Sequence, residues 1–156
     1  MRIIGIDPGL DGGIAILTEH GVEAHPMPTS VMNSSRREID VCRLDALFDL
    51  YPSYDLVVIE NVQSDPKFGS ASSFTFGKGF GAALAVIQLR GLPHLRVRPQ
   101  EWKATVLAGT DKSKEAAIAH VQRLYPTLNL ILPGKRKPSH DLAEAVCLAR
   151  YGKEQL

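Results

Sequence analysis

Four carboxylates in this chain stand where the local sequence would bring them to the margin of a core. Asp7 directly follows the strand-like run Arg2 to Ile6, and Glu60 closes Leu56-Val57-Val58-Ile59, the most apolar run of the chain. Asp141 and Glu144 are three apart, which places them on neighbouring positions of one helix face. At about 100° per residue the apolar arc of that segment is Leu142, Ala145, Val146, Leu148 and Ala149, with Asp141 on its margin and Glu144 beside it. A carboxylate drawn out of water needs a cation, because unpaired burial costs several kcal/mol. Sets of oxygen ligands select hard cations such as Mg²⁺ or Mn²⁺. Two such ions about 3.5–4 Å apart activate a water and stabilise the leaving oxygen in phosphodiester cleavage. Taken singly, Asp7 could shape a Pro-Gly turn, Glu60 could end a strand and Asp141 could stabilise a helix N-terminus. Jointly, three elements each delivering an acid to the core margin point to a metal-dependent nuclease.

Other chemistries have less support. Cys42 and Cys147 are the two cysteines, far apart and without companions at metal-ligand spacing, which argues against a zinc site or a disulfide framework. His140 precedes Asp141 and lies four residues from Glu144; a metal ligand or base and a capping or Glu144-paired histidine are its two readings. The net charge of +1 hides an asymmetry: residues 1 to 66 hold 4 Lys/Arg against 11 Asp/Glu, and residues 67 to 156 hold 14 against 6. The cations gather at Lys67 and Lys78, at Arg96 to Lys103 including Arg98, at Lys112 and Lys114, and at Lys135-Arg136-Lys137. Cations around an acidic site suit a polyanionic partner held to metals that carboxylates alone would repel. A solvated loop is the alternative for Lys135 to Lys137.

The elements that must position these residues follow from hydrophobic spacing. A chain of 156 residues, 44% hydrophobic and 22% charged, suits one globular domain over 1 to 156. It shows no apolar run near 18 residues, and its start lacks the marks of a secretory signal, so a cytoplasmic protein without membrane contact is expected. Arg2 to Ile6, Ile14 to Leu17 and Val22 to Met27 read as an antiparallel meander, with a polar loop through Ser35. Asp40 can cap a helix bearing Val41, Leu44, Leu47, Phe48 and Tyr51, and Asp55 to Glu60 reads as a strand buried on both faces, hence mid-sheet. Residues 61 to 73 read as a loop before a helix over Phe74 to Leu89, whose Gly77, Gly81 and Ala85 form a small-residue stripe suited to close helix packing. A strand over Leu95 to Arg98, helices over Gln100 to Leu107 and Ser113 to Leu124, a loop over Pro133 to Pro138 and a last helix from Ser139 to Tyr151 complete a mixed α/β sheet with helices on both faces.

Ile4-Gly5-Ile6-Asp7-Pro8-Gly9-Leu10, Val57-Val58-Ile59-Glu60-Asn61-Val62 and His140-Asp141-Leu142-Ala143-Glu144-Ala145 resemble, in order and spacing, the acidic motifs of RuvC-type Holliday junction resolvases of the ribonuclease H-like superfamily. Trp102-Lys103-Ala104-Thr105-Val106 and Asp111-Lys112-Ser113-Lys114 are similar to that family's basic segments. The resemblance implies a ribonuclease H-like five-stranded sheet and a homodimer that nicks a four-way DNA junction symmetrically. Asp7, Glu60, Asp141 and Glu144 would hold two Mg²⁺, with Mn²⁺ as a substitute and no nucleotide cofactor. Lys103 and Lys112 or Lys114 would meet the scissile phosphates. The chain departs from bacterial members by Glu144 where they carry Asp, and by Gln63 where they carry an aromatic wedge, for which Phe68 is the nearest substitute. Phage or organellar branches are the nearer comparison. A fork, flap or RNA/DNA-hybrid nuclease with the same metal site, and an inert junction-binding module, are the competing readings.

Overall fold

In the computed structural model, residues 1–32, 36–61 and 69–156 are described. Strand β1 (Ile3–Asp7) is buried at every position, which requires cover on both faces and neighbours on both edges. It pairs antiparallel with β2 (Gly13–Thr18), and β2 pairs antiparallel with β3 (Gly21–Pro26), as the meander predicts. The polar stretch that follows departs from its loop assignment. Strands β4 (Thr29–Met32) and β5 (Arg36–Ile39) pair with each other in a separate antiparallel ribbon. Extended-favouring Thr29, Val31 and Ile39 alternate there, and an excursion satisfies its backbone groups best by pairing with itself.

Asp40 caps α1 (Val41–Leu47) by accepting from the Arg43 N–H, and a short 3₁₀ turn, Phe48–Leu50, ends the segment before Pro52. Strand β6 (Leu56–Glu60) then inserts parallel to β1, helix α2 (Ser70–Leu89) crosses over, and β7 (His94–Val97) adds parallel to β6. The order β3-β2-β1-β6-β7 is the expected five-stranded mixed sheet. Helix α2 begins four residues before the expected Phe74, directly after Gly69 in extended conformation, and the Thr75 hydroxyl bonds back to the Ala71 carbonyl. Three further helices, α3 (Pro99–Val106), α4 (Lys114–Leu124) and α5 (His140–Lys153), follow, the last two capped by Ser113 and Ser139.

Side-chain alternation along the strands divides the core. Ile4, Ile6, Ile14, Ile16, Val57 and Ile59 meet α1 and α2 on one face, and Ile3, Ala15, Leu17 and Val58 meet α3, α4 and α5 on the other. Gly5 sets the depth of α5 on that second face. A Cβ there would lie 2.1 Å from the Ala145 carbonyl oxygen and 2.4 Å from the Ala149 nitrogen, so backbone meets backbone with no side chain between. None of the described helices is long and apolar enough to cross a membrane.

Candidate active site

Asp7 and Glu60 end adjacent parallel strands, in which Ile6 is paired with Ile59. Asp7 shares the strand parity of Ile3 and Gly5, and Glu60 that of Val58, so period-two alternation aims both carboxylates at the face carrying α5. Because Gly5 lets α5 lie directly on β1, the first turn of α5 reaches the same sheet end and contributes Asp141 and Glu144. All four acids line one open cleft of about 540 Å³, together with His140 and Lys114. Asp7 is 7% exposed and Glu144 9%, so the expected inward aim of the acids is what the fold produces.

Local hydrogen bonds fix each carboxylate. Asp7 accepts from the Gly9 N–H at 3.2 Å, and the turn closes with the Gly12 N–H on the Gly9 carbonyl at 3.0 Å, so this residue shapes its turn and lines the cleft together. The Trp102 indole N–H donates to Glu60 Oε1 at 2.8 Å, and the neighbouring Lys103 Nζ donates to Glu144 Oε1 at 2.6 Å. Lys103 also lies 5.0 Å over the Trp102 ring. His140 Nε2 stands 3.0 Å from Asp141 Oδ1, so its nearest carboxylate is the adjacent Asp141.

Crowded acids in a desolvated cleft resist ionisation. Burial, and next the charge of Glu60, pushes the Asp7 carboxyl up to about 7. Burial also raises Glu60, against the bond from Trp102, and raises Asp141, against the neighbouring His140. By donor chemistry this all-oxygen set fits a hard divalent cation such as Mg²⁺ or Mn²⁺. Among the described residues no three His, Cys, Asp or Glu side chains already enclose an ion-sized space. Trp102 holds Glu60 through Oε1, and Glu144 is turned onto Lys103, so ion binding calls for the Glu144 carboxylate to leave that lysine on a fixed backbone.

The cationic positions disperse. Lys103 and Lys114 are at the acids, whereas Lys112 is exposed with a φ of 59° and does not line the cleft. Lys78 pairs with Glu38 at 2.5 Å, and Arg98 is drawn onto Glu101 at 2.8 Å, whose carboxylate also accepts from the Arg98 backbone N–H. Lys135, Arg136 and Lys137 are exposed in the loop that leads to Ser139. Lys67, Phe68 and Gln63 lie outside the described residues. Sequence reasoning assigned no role to Trp102 beyond the motif it belongs to; the signal was the chain's only tryptophan on the apolar face of a helix, since a buried indole N–H must find an acceptor.

No family model matches the chain. It is 31% identical over 156 residues to the crossover junction endodeoxyribonuclease RuvC of Cupriavidus pinatubonensis, covering 96% of this chain and 81% of that protein. To the RuvC of Ruegeria pomeroyi it is 28% identical, covering 99% and 94%. Among solved structures, Thermus thermophilus RuvC in complex with a Holliday junction substrate superposes with a TM-score of 0.62 at 22% identity, covering 99% of this chain and 96% of that one. The yeast mitochondrial Holliday junction resolvase Ydc2 follows with a TM-score of 0.53 at 13% identity, covering 96% and 76%. At these identities the superpositions speak to the fold.

Proposed function

The chain belongs to the RuvC family of crossover junction endodeoxyribonucleases, and from that premise we propose how its own residues carry out the family's reaction. It is an endonuclease that resolves four-way DNA junctions. The observation that carries the chemistry is the delivery of four carboxylates by β1, β6 and α5 to one cleft. Residues 1 to 156 act as one nuclease domain in the cytoplasm, or in a host's cytoplasm. Asp7, Glu60, Asp141 and Glu144 hold two Mg²⁺ ions, which Mn²⁺ can replace. Such a pair activates water and stabilises the leaving oxygen of a phosphodiester.

The protein's remaining contribution is placement. Trp102 orients Glu60 through one carboxylate oxygen, and His140 orients Asp141. Lys103 and Lys114 supply positive charge beside the carboxylates, which lowers the cost of bringing a phosphate to an acidic cleft and preorganises the field for its transition state. A homodimer would supply the second cleft for symmetric paired nicks. The exposed face of α2 supports that assembly: a Cβ at Gly77 or Gly81 would meet nothing within 4 Å, and Ala85 lies exposed on the same stripe. Lys112 and the exposed loop of Lys135 to Lys137 are proposed as outer phosphate contacts.

Cleavage of a synthetic four-way junction, beside linear duplex, fork and RNA/DNA hybrid, tests the reading. Mg²⁺-dependent nicks at symmetric positions on opposing junction strands are the expected result. Preferential cutting of fork or hybrid would replace the substrate, and junction binding with no cleavage of any substrate would leave an inert binding module.

A further inference from the structure

Strand β3 forms one edge of the five-stranded sheet, so half of its backbone groups face away from β2. Which half is fixed by the bond just beyond the strand, where the Met27 N–H donates to the Gly12 carbonyl at 2.9 Å. In the register that pairs Pro26 with Gly13, the residues bonded to β2 are then Gly21, Glu23 and His25. The N–H and C=O of Val22 and of Ala24, and the C=O of Pro26, point outward, and among the described residues none of them has a hydrogen-bond partner. This edge is one wall of a cavity of about 490 Å³. The segment from Tyr125 to Pro133 supplies another wall, in which Tyr125, Leu128 and Leu132 pack on the core while Ile131 stays 43% exposed. That wall is held in place, since the Ile131 N–H donates to Asn129 Oδ1 at 2.8 Å and the Ser139 N–H donates to the Leu130 carbonyl at 2.8 Å. No residue that lines this cavity also lines the carboxylate cleft.

We infer that this edge is a docking site for an extended segment of another protein, which adds a strand beside β3. Two donors and three acceptors in a row are met by the backbone of an added strand, and the pockets beside them select its alternate side chains. A strand that matches Val22 to Pro26 needs about five residues. Its side chains opposite Val22 and Ala24 fall on the face of Tyr125, Leu128 and Leu132, so those positions are apolar. The positions between them fall on the face of Glu23 and His25, both partly exposed, and are polar. A second copy of this chain fits the edge poorly. Pairing β3 with itself about Glu23 sets two Glu23 carboxylates opposite each other, and pairing it about Ala24 sets Val22 against Pro26, whose missing N–H leaves the Val22 carbonyl unpaired. A segment of different sequence avoids both costs. Docking at β3 leaves the carboxylate cleft open, so the partner does not compete with a substrate at the acids.

The test presents the full chain with a phage-displayed library of random peptides of about nine residues, then follows the selected peptides by amide exchange of the labelled protein. The selected sequences should alternate apolar and polar residues. At a peptide concentration tenfold above its Kd, exchange of the Val22 and Ala24 N–H groups should slow about tenfold. Methylating the alternate peptide nitrogens that face β3 should abolish binding, whereas methylating the intervening ones should not. Ala24→Pro removes one outward donor from an edge strand, where proline is tolerated, and should weaken the selected peptides at least about fivefold with junction cleavage retained. Ile131→Asp leaves the strand untouched and should weaken them by about tenfold or more through the opposite wall, which keeps the test decisive if the proline variant fails to fold. A library that yields no binder, or binders that leave the exchange of Val22 and Ala24 unchanged, would overturn the docking site. Protection of those two amides without peptide, rising with protein concentration together with the sedimenting mass, would assign the edge to a second copy of the chain and overturn it equally.

Discussion

The carboxylate cleft and the cationic surface around it are built in opposite ways. The acids stand on β1, β6 and α5, elements buried in the core, with backbones fixed by strand pairing and by the contact at Gly5. The cations stand on helix starts, a ribbon and loops, mostly exposed and several tied to neighbouring carboxylates. Chemistry that needs fixed distances is carried by the rigid interior, and recognition of a large flexible polyanion is carried by adaptable side chains at the rim. The difference also assigns different costs: cleft residues trade stability for function, whereas rim residues are nearly neutral to folding.

Substitution in the cleft should produce the largest effects and separate activity from stability. Asp7→Asn should lower junction cleavage by more than about 100-fold while leaving binding intact, since a ligand matters at least as much as the groups that orient ligands. The same change should hold or raise the neutral-pH melting temperature, because it removes a charge that burial disfavours. Unaltered cleavage would break the comparison. Gly5→Ala should cost about 3 kcal/mol or more of stability, read by denaturant titration, because the added methyl meets α5 backbone that has no rotamer to yield.

Trp102→Phe keeps an aromatic side chain, smaller than the indole, and removes the N–H that holds Glu60. It should weaken Mg²⁺ affinity by about 10–100-fold, read by calorimetry, with junction affinity at fixed salt unchanged. A pH series sharpens the same contrast. Folded Asp7 keeps its proton to about pH 7, whereas the unfolded carboxyl loses it near 3.8, so the folded chain binds more protons between those values. Stability without divalent ions should therefore fall as pH rises from about 4 to about 7, and added Mg²⁺ should oppose the fall by favouring the ionised form. At the rim, replacing Lys135, Arg136 and Lys137 together by Ala should reduce the salt slope of binding by up to about 3 and leave the rate at saturating junction unchanged. A lost rate would move that loop into the cleft.

Legibility in the sequence followed the same division. Strand alternation and helical spacing carry information about which side of an element faces the core, so β1, β6, the inward aim of Asp141 and Glu144, and the caps Asp40, Ser113 and Ser139 were all readable. The β4–β5 ribbon was not, because only its partner strand makes such a short polar segment extended. The bond from Trp102 to Glu60 joins residues 42 apart, which no local pattern encodes. The partners of Lys78 and Arg37 depend likewise on the ribbon's path, and an exposed cation has no periodicity that reveals what it faces.

Counting metal ions on the protein tests the central claim most directly. Calorimetric titration of the wild type with Mn²⁺ should show two ions per chain, and the Asp7→Asn variant should lose at least one of them. Binding to Asp7→Asn with the stoichiometry and affinity of the wild type would contradict the assignment of the four carboxylates as the metal centre.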